Sequence, residues 1–169
     1  VLVRITLVLT RTNSAMPQTS RFLPMLRELV RCYQAFEQYS SSHVRGMGLT
    51  PSQFDIIATL GETPGMTFKE LGEKTLITKG TLTGVVDRLE DKGLAKRVAL
   101  PRDGRCSIVM LTRAGEREFK RVFLPHVDHM GKAFGKVRAA DMDALRVKLR
   151  KLRGVLEFGT GSASHSGKA

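Results

Sequence analysis

Three helix-start signals crowd into residues 49–82, and no other feature limits the fold as tightly. Leu49-Thr50-Pro51-Ser52-Gln53-Phe54 sets a capping threonine before a proline at the first helical position. Gln53 closes a capping box, and Leu49 and Phe54 are spaced as a hydrophobic staple. Met66-Thr67-Phe68-Lys69-Glu70-Leu71 repeats cap, box and staple. Ile77-Thr78-Lys79-Gly80-Thr81-Leu82 starts a third helix, with Thr78 as cap and Ile77 and Leu82 as staple. The first of these helices stops at Gly61. The second is short, broken by Thr75-Leu76-Ile77. The third reaches Lys92 and ends at Gly93, a natural left-handed terminator. A short helix, a tight turn and a longer helix make a helix-turn-helix. Two β-prone runs follow, about 94–99 and 106–111. They flank Pro101-Arg102-Asp103-Gly104-Arg105, whose Asp-Gly pair predicts a hairpin turn, so the hairpin is a wing.

The flanks are helical and seamed. From Arg21 to about Arg45, Phe22, Leu26, Leu29, Tyr33 and Phe36 alternate four and three apart. Thr112 caps a helix running to about Phe134, and a last helix begins near Asp141. There Met142, Leu145, Leu149, Leu152 and Leu156 form a second seam. Two heptad seams at opposite ends of a small chain are best buried by a second copy, so a homodimer is expected. The fold class is mainly α (α+β): a winged helix-turn-helix with a helical dimerisation domain formed by the N- and C-terminal helices. The expected divisions are 1–20, an N-terminal extension; 21–48, a dimerisation helix; 49–112, the DNA-binding domain; 113–158, the C-terminal helices; and 159–169, a Gly/Ser-rich disordered tail. The apolar, β-branched start VLVRITLVLTRTNSA breaks in composition before Met16 and is expected to add little to the folded domain.

Charge names the partner class. Lys+Arg is 28 against 16 Asp+Glu, a net +12, which points to a polyanion: nucleic acid first, an anionic membrane second. No apolar run reaches the roughly 18 residues that span a bilayer, so no membrane role is expected. On a helical wheel of the third helix, Leu82, Val85, Val86 and Leu89 face the core. Gly80, Thr83, Gly84 and Asp87 point the other way, with Lys79, Thr81 and Arg88 on the flanks. Glycine costs roughly 1 kcal/mol in a helix interior, so two outward glycines suit the close approach of a partner such as double-stranded DNA. Lys96, Arg97, Arg102 and Arg105 make the wing basic, and a tip arginine fits a narrow minor groove. Asp103 is placed to orient the Arg105 guanidinium. A non-specific architectural DNA-binding protein is the competing class, and the threonine-lined helix speaks against it. A winged helix used for protein contacts is the third, and the basic wing speaks against that.

Asp103-Gly104-Arg105 followed by Val109, Leu111-Thr112 and Gly115 resembles the D-x-R…V-x-L-T-x-x-G pattern of the MarR family of bacterial winged-helix regulators. GTLTGVVDRLEDKGL (80–94) resembles that family's recognition helix, and TPSQFDIIATL (50–60) the helix before it. The resemblance covers roughly residues 21–158. It implies a cytoplasmic, nucleoid-associated homodimer on palindromic operators, often a repressor released by a small ligand, a metal or oxidation. It further implies DNA contacts from Thr78, Lys79, Thr81 and Thr83, phosphate contact from Arg88, and wing contacts from Arg102 and Arg105.

The effector is the least legible part. Tyr33, Phe36, Tyr39, Phe54 and Ile57, with His43 or Arg45, are expected to wall a pocket for an organic, aromatic or anionic molecule. A zinc site from His43, His126, His129 and Cys32 is the rival. The three-residue spacing of His126 and His129 and the lack of a completing carboxylate count against it, so no metal or cofactor is expected. Cys106 beside Arg105 is a candidate thiol switch, and Cys32 reads as an apolar packer. No phosphate loop or nucleophile–base arrangement stands out, and an enzyme is not expected.

Overall fold

Helix-start chemistry decides where the backbone turns into each element. In the computed structural model the described residues are 21–75, 77–100 and 103–161, with side chains described outside 100, 103–106 and 158–161. The element order is α1 (Phe22–Gly46), α2 (Pro51–Leu60), β1 (Met66–Thr67), α3 (Phe68–Thr75), α4 (Lys79–Asp91), β2 (Ala95–Leu100), β3 (Asp103–Leu111), α5 (Arg113–Phe134) and α6 (Ala139–Gly161). The segment before Met16 lies outside the described residues. The tail expected from residue 159 is still helical to Gly161.

Two capping boxes form as read. The Gln53 N–H donates to Thr50 Oγ1 at 3.3 Å while Gln53 Oε1 accepts the Thr50 N–H at 3.1 Å. Thr67 and Glu70 repeat this at 3.2 and 2.8 Å, and the Thr67 N–H holds the Glu70 carboxyl below the usual range. At the third start the cap residue makes no side-chain bond to the helix. Thr78 occupies the N-cap position, but its hydroxyl donates to Thr81 Oγ1 at 3.1 Å and not to the helix. Position N3 holds a threonine there, not the Glu or Gln that a box needs. Gly93, at φ 67°, closes α4, and the Leu94 N–H returns to the Leu89 carbonyl at 2.8 Å.

The sheet is antiparallel in the order β1-β3-β2, with Met66 opposite Val109 and Ala95 opposite Leu111. β1 was not expected, because two residues are too few to show alternation. The hairpin reverses earlier than the Asp-Gly pair predicts. Asp103 already pairs with Leu100, with a register shift between Ala99 and Leu100.

The chain divides into two units, one up to His126 and one from Val127. In the first, Leu71, Leu82, Val85, Val86 and Leu89 of the helix-turn-helix pack with Ile56, Ile57, Leu60, Val109 and Leu111 into one buried cluster. The wing exit is pinned to the exit of α4: the Thr112 hydroxyl donates to the Gly93 carbonyl at 2.6 Å and accepts the Gly115 N–H at 3.1 Å. Along α1 only Val44 is buried; Phe22, Tyr33 and Phe36 are exposed, while Leu26 and Leu29 are half-buried. In the second unit Met142, Leu145, Leu149 and Leu156 are exposed and Leu152 is half-buried. No described helix is long and apolar enough to cross a membrane.

Candidate nucleic-acid interface

The four apolar residues expected to face inward from α4 are all buried, at 2% exposure or less. Thr78, Lys79, Thr81, Thr83, Asp87 and Arg88 are exposed along its other side. A Cβ built on Gly80 or Gly84 meets nothing within 4 Å, so no packing demands these glycines. The outward side of α4 is therefore low, hydroxylated and open to an approaching surface. Thr83 donates its proton to the Lys79 carbonyl at 3.3 Å, leaving its oxygen as an acceptor. Thr81 accepts from Thr78 and keeps its own proton to donate outward. A paired donor and acceptor of this kind can read base edges in a major groove.

Arg97 does not behave as a free wing cation. Its guanidinium pairs with Glu90 and, at 2.5 Å, with Asp87, both on α4, and its N–H donates to Glu90 Oε1 at 2.7 Å. The same guanidinium lies 5.2 Å from the centroid of the Phe68 ring on α3. One side chain thus ties β2 to both helices of the helix-turn-helix. Asp87 and Glu90 look like solvated charges in sequence, and only the fold shows that they are spaced one helical turn apart to hold an arginine. Arg97→Ala is expected to weaken operator binding about tenfold by loosening the wing and leaving two carboxylates unneutralised. The slope of log affinity against log salt should stay as it was, whereas a lost phosphate contact would flatten it by about 0.9. Titrations at several salt concentrations separate the two. Arg102 and the side chains of Asp103, Arg105 and Cys106 lie outside the described residues. Lys96 is exposed on β2.

The profile of the MarR family matches residues 47–105, the stretch from the start of α2 into the wing. The regulator MhqR of Bacillus subtilis is 25% identical over 134 residues, 79% of this chain and 92% of that one. A probable transcriptional regulator from Pseudomonas aeruginosa, solved as a crystal structure, is 33% identical, covers 72% of this chain and 92% of its own, and superposes with a TM-score of 0.60. The chain belongs to the MarR family. Sco3205, a MarR-family regulator of Streptomyces coelicolor solved in complex with DNA, shares the fold at a TM-score of 0.73 and 22% identity, over 84% of this chain and 91% of that one. As a MarR-family member the chain is a DNA-binding transcriptional regulator.

The residues expected to sense an effector are scattered. In this MarR-family chain Ile57 is fully buried in the core and Phe54 nearly so, which leaves Ile57 no surface for a ligand. Tyr33, Phe36 and Tyr39 are exposed on α1, and so is Cys32. His43 and His126 bond to each other through their Nδ1 atoms at 3.1 Å. His126 is buried beneath the Phe54 ring, whose centroid is 4.5 Å away, and its Nε2 lies 3.3 Å from Ser40 Oγ. Among the described residues no three metal-ligating side chains come together.

Between α1 and α2 an acidic group gathers that sequence spacing did not reveal. Asp55 is exposed as a residue, yet its carboxyl is pushed up to about 6, first by burial and then by the negative Glu37. Glu37 also holds the Tyr33 phenol above its ordinary value. Since the folded state holds the Asp55 proton more tightly than the unfolded chain, this group's contribution to stability falls as pH rises from about 4 to about 6. Asp55→Asn is expected to raise stability by about 1 kcal/mol at pH 8, after discounting for solvent screening, and to change nothing at pH 4. Denaturant unfolding at the two pH values checks it.

Proposed function

We propose that this regulator is a homodimeric repressor that grips a palindromic operator and lets go when a small organic molecule binds. Its place of action is the bacterial cytoplasm, on the nucleoid. The observation that carries the reading is the outer side of α4: Thr78, Lys79, Thr81 and Thr83 exposed around two glycines that packing does not require. In this reading residues 49–112 read DNA, and 21–48 with 113–158 pair two copies. Arg88 takes a phosphate, and Arg102 and Arg105 follow the minor groove with Asp103 orienting the latter. Release by a ligand follows from the family, in which small-molecule control of DNA binding is common. No part of the reading calls for enzymatic chemistry.

Sequencing the genomic fragments that co-purify with the full chain identifies the operator and tests the reading. Thr83→Val is expected to relax base preference within each half-site at a cost of about 1–3 kcal/mol. Arg105→Ala should weaken binding evenly across sequences and flatten the salt slope by about 0.9. Fragments without a shared palindrome, all bound with equal affinity, would instead mark a non-specific architectural protein.

A further inference from the structure

The positive charge is not confined to the DNA-reading unit. Up to His126 the chain carries 19 Lys and Arg against 12 Asp and Glu, a net +7 over 126 residues. From Val127 onward it carries 9 against 4, a net +5 over 43 residues, about twice the density. That second unit contains neither α4 nor the wing. Its excess gathers on α6. Arg146, Lys148, Arg150, Lys151 and Arg153 are five cations in eight residues with no acid between them, and all five are exposed. Asp143 pairs with Arg146 at 3.1 Å and Glu157 with Arg153 at 3.6 Å, whereas Lys148, Arg150 and Lys151 make no ion pair among the described residues.

Helix stability does not ask for this cluster. The helix dipole favours cations in the last turn, and α6 has none there. Arg146 and Arg150 are four apart, and Arg150 and Arg153, like Lys148 and Lys151, three apart. Like charges therefore stand side by side on the helix surface and repel. Pairing two copies through the leucine seam brings two such sets into one assembly and adds to the repulsion. A polyanion relieves it. Eight helical residues span about 10.5 Å, so the cations stand about one per 2 Å, and double-stranded DNA carries one charge per about 1.7 Å of its axis.

We propose that the cationic side of α6 is a second DNA contact, indifferent to sequence, by which an operator-bound dimer holds another stretch of duplex. The inference goes beyond the reading of α4 and rests on the pairing of the α6 seams. That pairing also selects the occupant. An anionic membrane takes the apolar side of an amphipathic helix together with its cations, and a seam covered by a second copy leaves only the cations. Between Arg146 and Arg153 there is no aromatic residue to stack on a base and no amide or hydroxyl side chain to read one. Such a surface contacts phosphates, which hold a duplex without reading it. With one cationic side on each copy, a regulator seated on its operator joins that site to DNA elsewhere.

The test uses the full chain and two fluorescent duplexes, the operator recovered from co-purifying fragments and a mixed-sequence duplex of the same length. Operator is added at one duplex per dimer, and because specific binding is tighter by about 10³ or more it fills the α4 face first. Energy transfer between the two labels then reports both duplexes on one dimer. The mixed duplex should join with a Kd of about 1–100 μM, weakening steeply with salt. Lys148→Gln with Arg150→Gln and Lys151→Gln should weaken it at least about tenfold and flatten its salt slope by about 2–3. Operator affinity should stay within about twofold, and light scattering should report the parent's mass. Arg31→Gln with Lys132→Gln and Lys136→Gln removes as much charge elsewhere and should change the second duplex less than about threefold. If the α6 variant melts early or splits the dimer, Lys148→Gln with Lys151→Gln carries the test, and Lys148→Arg with Lys151→Arg should bind as the parent does. Absence of energy transfer on the operator-loaded dimer overturns the site. So does an equal loss in the two triple variants, which would make the chain's total charge the cause. Preference for phosphatidylglycerol vesicles or for poly-glutamate over the duplex, at equal charge, overturns DNA as the occupant. A chain that binds no operator overturns the proposed function instead, and the mixed duplex titrated onto it alone, with and without the α6 substitutions, still decides this one.

Discussion

Replacing Gly115 by alanine is expected to destabilise the DNA-reading unit by about 3 kcal/mol or more, although alanine is the better helix former by roughly 1 kcal/mol. The added Cβ would lie 2.0 Å from the Leu94 carbonyl oxygen and 3.1 Å from Leu111 Cβ. Neither can yield cheaply. The Leu94 carbonyl accepts the Thr112 N–H at 3.0 Å, and the Thr112 side chain is bonded to Gly93 on one side and Gly115 on the other. Moving the first turn of α5 away would break all of these and open the cluster around Leu111 and Phe119. Gly80→Ala and Gly84→Ala are the matched controls, since nothing lies within 4 Å of a Cβ at either position. Each should stabilise the free protein by about 0.5–1 kcal/mol. Denaturant unfolding of the three variants reads the contrast. A Gly115→Ala chain as stable as the parent would show that α5 does not begin against Leu94.

The same glycine shows what sequence reading reaches. Gly115 was visible only as a letter of a family pattern, because the carbonyl it must clear belongs to Leu94, brought close by the fold. Features written in neighbouring residues were legible: the boxes at Thr50 and Thr67, the left-handed stop at Gly93, the inward side of α4. Thr78 misled because its cap signal resembles the other two until the identity of N3 is weighed. Pairings across elements stayed hidden. Arg97 counts as a wing cation in a charge tally, and its partners Asp87 and Glu90 lie a helix and a turn away. The effector pocket was placed on aromatic residues because these line pockets in general. Here Phe54 and Ile57 serve the core, while Tyr33, Phe36 and Tyr39 stand exposed on α1.

The pair Leu149→Asp with Leu152→Asp is expected to leave a monomer that has lost nearly all operator affinity. On α6 Met142, Leu145, Leu149 and Leu156 are exposed on a helix otherwise crowded with Arg146, Lys148, Arg150, Lys151 and Arg153. An apolar seam framed by cations is stable in water only if something covers it, and a second copy of the same seam is the self-complementary answer. Two carboxylates placed there would be buried without partners in the paired state, at a cost of several kcal/mol, which moves a dissociation constant by three decades or more at about 1.4 kcal/mol per decade. Light scattering should then report the mass of one chain, 18.7 kDa. A monomer holds one half-site only, so losing the second contact should weaken operator binding by about 10²–10⁴ although α4 is untouched. The charge change alone cannot be the cause if Lys148→Asp with Arg150→Asp, off the seam and larger in charge, still pairs. A dimer that survives in the leucine variant would place the interface elsewhere. One that survives yet releases DNA would show that α6 sets the spacing of the two reading helices without holding the copies together.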